Sequence, residues 1–212
     1  DPVRMEILAD RLETIDPEAL LSSLWLPPYE DMTPEFSAFV LDYYRTLLLI
    51  HLDRVPEARA ILDEMALRED MVGLGTMQRD AELILESEIL LREGNLTEAL
   101  EVLRTVEYQV PHAITTVPIG DQARSRLVRA ELERQQGDTR AAEAFLEGLD
   151  ESWSPWDGMY RSSVYRLKGA IAEDDGRFEE AILNYTRLLD LWRDCDPALV
   201  PIRDEIEARR NA

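Results

Sequence analysis

The sequence predicts an all-α fold: antiparallel helix hairpins stacked as an α-solenoid, with a capping helix at the C-terminal end. Three observations carry this expectation. Apolar residues recur with a period of about 3.6, as in the stretch from Ala81 to Gly94, where positions 83, 84, 85, 89, 90 and 91 are apolar. Strict alternation of Val, Ile, Thr and Tyr is absent. Short links bearing Gly alternate with longer links bearing Pro, as stacked hairpins require.

Taken in order, the pattern predicts helices near 3–14, 17–26, 34–52, 55–67, 77–93, 96–109, 119–136, 139–149, 158–175, 178–192 and 201–210. Pro27-Pro28, Pro111 with Pro118, and Pro155 mark the longer links, because proline cannot continue a helix. The short links are Gly94-Asn95, Gly137-Asp138, Gly176-Arg177 and, more weakly, Asp53-Arg54. Glycine ends a helix there because it accepts a positive φ without steric cost, and Asn95 or Asp138 is placed to cap the next helix. Asn95 with Glu98 three residues on has the form of a capping box.

The short links repeat. Gly94-Asn-Leu-Thr-Glu-Ala99, Gly137-Asp-Thr-Arg-Ala-Ala142 and Gly176-Arg-Phe-Glu-Glu-Ala181 share one template, and Asp53-Arg-Val-Pro-Glu-Ala58 is a copy without the Gly. The closing alanines Ala58, Ala99, Ala142 and Ala181 lie 41, 43 and 39 residues apart. This pattern resembles the tetratricopeptide repeat, a helix–turn–helix unit of about 34 residues. Aligning those alanines on the family's second-helix alanine puts Thr46, Ser87, Ala130 and Gly169 on its small first-helix position. Phe178 falls on the aromatic after the turn, Tyr185 on the second-helix aromatic, Leu188-Leu189 on the Ala-Leu pair and Pro111 on the closing proline. The spacing near 40 exceeds the family norm, and the early first-helix aromatic survives only as Tyr165.

The resemblance spans roughly residues 36–192. It implies hairpins at about 34–67, 77–109, 119–149 and 158–192, a helical extension or diverged repeat at 1–33, and a cap at 193–212. The cap rests on Ile202 and Ile206, a thin apolar stripe on an otherwise charged helix. The segment from Leu191 to Pro201 resembles the C-terminal ends of repeat regions in large bacterial signalling proteins.

Composition narrows the function. The 212 residues carry a net charge of −21, with 44 acidic and 23 basic side chains, and are 45% apolar. The basic set is 22 Arg and the single Lys168. An anionic surface repels phosphate backbones and anionic lipid, so nucleic-acid binding and membrane association are not expected. No apolar run is long enough to span a bilayer. The lone Cys195 forms no internal disulfide. A chain beginning at Asp1 reads as a fragment or processed form; a cytoplasmic place is expected, with an extracytoplasmic domain of a membrane-anchored protein as the alternative.

No catalytic constellation emerges, so no enzyme activity, catalytic residue, metal or cofactor is expected. His51 and His112 have no partner at metal-ligand spacing, and no Gly-x-Ser-x-Gly elbow supplies a nucleophile. His51 reads as a packed or capping residue at a helix end. Cys195 lies between carboxylates that disfavour a thiolate. Placing Gly176 at the sixth position of a calcium loop would put Ile171 and Ile182 at the first and last ligands, which rules that loop out. Gly73-Leu-Gly75 lacks the phosphate-loop Lys and reads as a turn.

The expected function is a scaffold binding a protein or peptide, as a regulatory or sensor region of a larger bacterial signalling protein. The alternatives are a self-association element and a non-catalytic subunit of an enzyme complex; oligomeric state stays open. The resemblance implies that first helices line a concave binding face. Its groove positions correspond to Tyr43, Ile84, Glu88, Arg92, Arg124, Glu131, Arg134, Arg166 and Glu173, with Leu47, Leu91, Leu127 and Ala170 alongside. The Lys and Asn of the family's carboxylate-clamp variant are missing, so a basic or mixed-charge partner is expected on that face. Trp153 and Trp156, around Pro155, either plug the space between hairpins or form an exposed aromatic anchor.

Overall fold

The structure is a computed structural model, and it describes residues 2–19, 33–68, 76–108, 122–149 and 155–211. Every described element is helical, and no strand occurs among the described residues. The chain divides into two compact units, Asp1–Asp121 and Gln122–Ala212.

The first unit contains α1 (Pro2–Thr14), α2 (Pro34–His51), α3 (Val55–Ala66), α4 (Thr76–Arg92) and α5 (Leu96–Thr105). The expected helix at 17–26 is described only at 17–19, which are helical. α2 starts where Thr33 Oγ1 accepts the Phe36 N–H at 3.3 Å, with Pro34 in the first turn. α1 packs on α2, α2 on α3 and α4, α3 on α4, and α4 on α5. Phe36, Phe39, Tyr43, Leu49, Ile50, Leu62, Met65, Met77, Leu85 and Ile89 form the shared core. α5 stops at Thr105, short of the expected 109, because Val106 is extended and the Glu107 N–H turns to Asp80 Oδ1 at 3.0 Å.

The second unit contains α6 (Gln122–Gln135), α7 (Thr139–Leu146), α8 (Pro155–Met159), α9 (Arg161–Asp174), α10 (Phe178–Leu191), a 3₁₀ turn (Pro197–Leu199) and α11 (Val200–Asn211). The expected helix at 158–175 is broken at Tyr160, which starts α9 as its N-cap. α9 packs on α6, α7 and α10, and α11 packs on α10. One core joins Val164, Leu167 and Ile171 to Ala130, Leu146 and Leu149; another joins Tyr185, Leu188 and Ala172 to Ile206.

One turn recurs four times. Asp53, Gly94, Gly137 and Gly176 all have positive φ: 62°, 84°, 83° and 71°. In each, the N–H of that residue bonds the carbonyl three positions back, and the next N–H bonds the carbonyl five back: Gly94 to Leu91 and Asn95 to Leu90, for example, at 3.1 and 2.8 Å. This is the Schellman arrangement, which satisfies carbonyls that a helix end leaves open. The residue after it begins the following helix with nearly constant angles, φ from −86° to −90° and ψ from 49° to 72°. Asp138 caps its helix, accepting the Ala141 N–H at 2.9 Å, whereas Asn95 makes no side-chain cap, so the capping box expected there is not formed.

The aligned small residues are buried. Ala58, Ala99, Ala142 and Ala181 are 0–3% exposed, and Thr46, Ser87 and Ala130 are equally enclosed. The two hydroxyls turn back onto their own helices: Thr46 Oγ1 donates to the Asp42 carbonyl and Ser87 Oγ to that of Ile84, each at 2.7 Å. A buried hydroxyl satisfied in this way keeps a small profile without an orphaned donor.

Candidate functional site

The nine groove positions expected from sequence divide between the two units, and each unit treats them differently. In the first, Tyr43, Ile84 and Glu88 are 0, 2 and 5% exposed. Tyr43 packs edge-on against Tyr44, ring centroids 5.4 Å apart, inside the core. A residue enclosed to that degree cannot receive a ligand, so these three are not surface groups as expected. Their helices α2 and α4 are packed from several sides, which widens the buried arc beyond one stripe. Arg92 is exposed, and its Nε donates to Asp53 Oδ1 at 2.6 Å. That hydrogen bond holds the Asp53 carboxyl below its ordinary range.

In the second unit the expected residues converge. Arg134 grips Glu131 with two parallel bonds, Nε to Oε2 at 3.0 Å and Nη2 to Oε1 at 2.9 Å, and reaches Asp174 of α9 through Nη1 at 2.6 Å. Gln135 Nε2 adds a bond to Glu131 Oε1 at 2.9 Å. Burial pushes the Glu131 carboxyl up, but the bonds from Arg134 and Gln135 and the charges of Arg134 and Arg166 prevail, leaving it below the usual range. The guanidinium of Arg134 is held correspondingly more firmly protonated, first through Glu131. Arg166 is exposed and Arg124 half-buried. A bidentate pair bridged to a second helix is a rigid polar surface that presents fixed charge.

Glu173 is engaged elsewhere. Arg209 of α11 donates to its carboxylate and lies 5.3 Å over the ring of Tyr185. Burial first, with the nearby Glu173 carboxylate, pushes the Tyr185 phenol above its ordinary value. Glu173 thus ties the C-terminal helix to α9.

Trp153, the side chain of Trp156 and His112 lie outside the described residues. His51 is exposed in the last turn of α2, not packed inside, and Cys195 is half-buried. Among the described residues no three His, Cys, Asp or Glu side chains converge as a metal site needs. No helix described is long and apolar enough to cross a membrane.

Sequence reasoning missed two ion pairs that tie a helix to the turn after the next one. Arg59 on α3 pairs with Glu93 beside the second turn at 2.9 Å, and Glu143 on α7 pairs with Arg177 beside the fourth. Both pairs span 34 residues and both start one position after the buried alanine, with their signs reversed. Opposite charges at template-related positions were the signal available. Compared with family models, curated proteins and solved structures, the chain matches none of them.

Proposed function

We propose that the chain is a non-catalytic scaffold of tetratricopeptide-like antiparallel hairpins that binds a protein or peptide along its first helices. In this reading it serves as a regulatory or sensor region of a larger bacterial signalling protein. The observation that carries it is the fourfold turn at Asp53, Gly94, Gly137 and Gly176, each followed by a buried alanine, which gives every unit the same local geometry. Repeats of this kind hold an extended surface rigid, and rigid surfaces bind without a large ordering cost. In the second unit the accessible groups on the first helices are Arg124, Glu131, Arg134 and Arg166; in the first unit the accessible one is Arg92, since Tyr43, Ile84 and Glu88 are buried. This mixture of both signs favours a mixed-charge segment, and the net charge of −21 favours a basic one at long range.

The test is affinity capture on the whole chain, comparing wild type with Arg166→Glu and Arg92→Glu. Both positions are exposed, so the helical circular dichroism should be unchanged. A partner retained by wild type and lost by the variants supports the reading. A partner held equally by all three, or a chain that retains none, overturns it.

A further inference from the structure

The second unit carries a groove of about 480 Å³ on the side of the second helices, between α7 and α10, with α9 beneath. Its two walls have spacings of three and four, from Arg140 on α7 to Glu147 at that helix's C-cap and from Glu180 to Arg187 on α10. Four cations and three carboxylates line it, in a chain whose carboxylates outnumber its cations 44 to 23. The imbalance is larger than that count, because Arg177 takes up both Glu143 and Glu180 at one end. Of the remaining lining carboxylates only Glu147 is left beside Arg140 and Arg187, and Lys168, the only lysine of the chain, lines the floor. The Arg187 guanidinium lies 5.7 Å over the Tyr165 ring, which fixes its place while leaving its N–H groups to a ligand. Neither Arg140 nor Arg187 meets a carboxylate among the described residues. Leu183, 50% exposed, and Ala144 supply the apolar surface of the same groove.

We propose that this groove is a second binding site, distinct from the first-helix face, for an acidic peptide segment with an aliphatic anchor. Its carboxylates pair with Arg140 and Arg187, and its aliphatic side chain covers Leu183 and Ala144. Charge complementarity selects this occupant. A basic segment meets the like charges of Arg140 and Arg187, and an uncharged one strands them desolvated. An anionic bilayer or a second copy of a chain of charge −21 is repelled over its whole surface. A short acidic peptide escapes most of that repulsion, since screening confines it to about 8 Å at physiological ionic strength.

The test is fluorescence anisotropy with a labelled twelve-residue peptide of glutamates and leucines at spacings of three and four, on the whole chain. Saturable binding is expected, weakened on the order of tenfold or more by Arg140→Glu with Arg187→Glu and largely kept by Arg187→Lys. Arg166→Glu, which probes the first-helix face, should leave this binding unchanged, so the two sites fail separately. The proposal is overturned if the lysine version of the peptide binds as well, or if the double variant binds like wild type. Inorganic phosphate displacing the peptide with no need for its leucines makes the groove a small-anion site instead. Self-association in sedimentation equilibrium that the double variant abolishes assigns it to another copy. Either outcome refutes a peptide site.

Discussion

Gly169 of α9 lies against the ring of Tyr185 of α10 so closely that a Cβ there would stand 2.7 Å from Cδ1 and 2.8 Å from Cζ, and closer still to Cε1. The ring cannot withdraw: Tyr185 is fully buried among Ala172, Ala181, Leu188 and Ile206, with Arg209 over its face. The two helices approach at this point because one has no side chain where the other has its largest.

Gly169→Ala therefore sets two effects against each other. Replacing glycine within a helix gains about 1 kcal/mol of propensity, while forcing a methyl into a filled site costs about 1–3 kcal/mol. The ring is enclosed, so the steric cost prevails, and urea denaturation should show a net loss of up to about 2 kcal/mol. Tyr185→Leu in the same background should recover part of it, as a double-mutant cycle would show. A more stable Gly169→Ala would mean that the close approach does not exist.

The turn predicts a second outcome, of opposite sign at two equivalent positions. Gly176 has φ 71°, and a β-branched residue there is strained; Gly176→Val should lower stability by about 1 kcal/mol or more. Asp53 holds the same conformation at φ 62° without being glycine. Asp53→Gly relieves the strain and loses only an exposed pair with Arg92, so its melting temperature should rise. Gly176→Val melting with wild type, or Asp53→Gly melting below it, would separate the turns from the template they share.

Much of this was legible in the sequence, for a physical reason. Gly94, Gly137 and Gly176 mark positions where only a positive φ closes the helix, and Ala58, Ala99, Ala142 and Ala181 mark crossings with no room for more; both requirements act on a single residue and leave a single-residue trace. The surroundings of the expected groove positions were less legible. Tyr43, Ile84 and Glu88 recur at the right interval, but an interval fixes which residues share a face and not how wide an arc the neighbours cover. Glu88 reads as a groove charge and is 5% exposed, while Arg134, expected on the groove face, is bound to Glu131 and Asp174. The α7–α10 groove left no trace, because its cations come from three helices and meet only in the fold.

Ile206 carries the attachment of the C-terminal helix. It is 1% exposed and packs with Tyr185 and Leu188, while Ile202 is only half-buried. Ile206→Ala should cost about 2–5 kcal/mol, as large-to-small changes at enclosed sites do. Removing residues 200–212 should cost more, uncovering Tyr185 and releasing Glu173 from Arg209, with aggregation or partial unfolding visible in light scattering. A truncated chain that stays monomeric and melts as wild type would show that α11 seals nothing.

The Glu131 network predicts a pH dependence. Its carboxyl titrates below the ordinary range in the folded chain, where Arg134 and Gln135 bond it, and near about 4.3 when unfolded. A group depressed by folding contributes stability that is present above the unfolded value and is lost as pH falls through the folded one. Glu131→Gln removes that contribution but keeps the shape of the side chain. Wild type should therefore exceed the variant at pH 7, by at most about 1 kcal/mol because the pair is partly exposed and screened. The difference should shrink below pH about 4 and vanish once the carboxyl is protonated in both states. Urea midpoints of the two chains across that range are the measurement. A difference that stays constant with pH would assign the effect to the amide substitution, and not to the charge that Arg134 holds between Glu131 and Asp174.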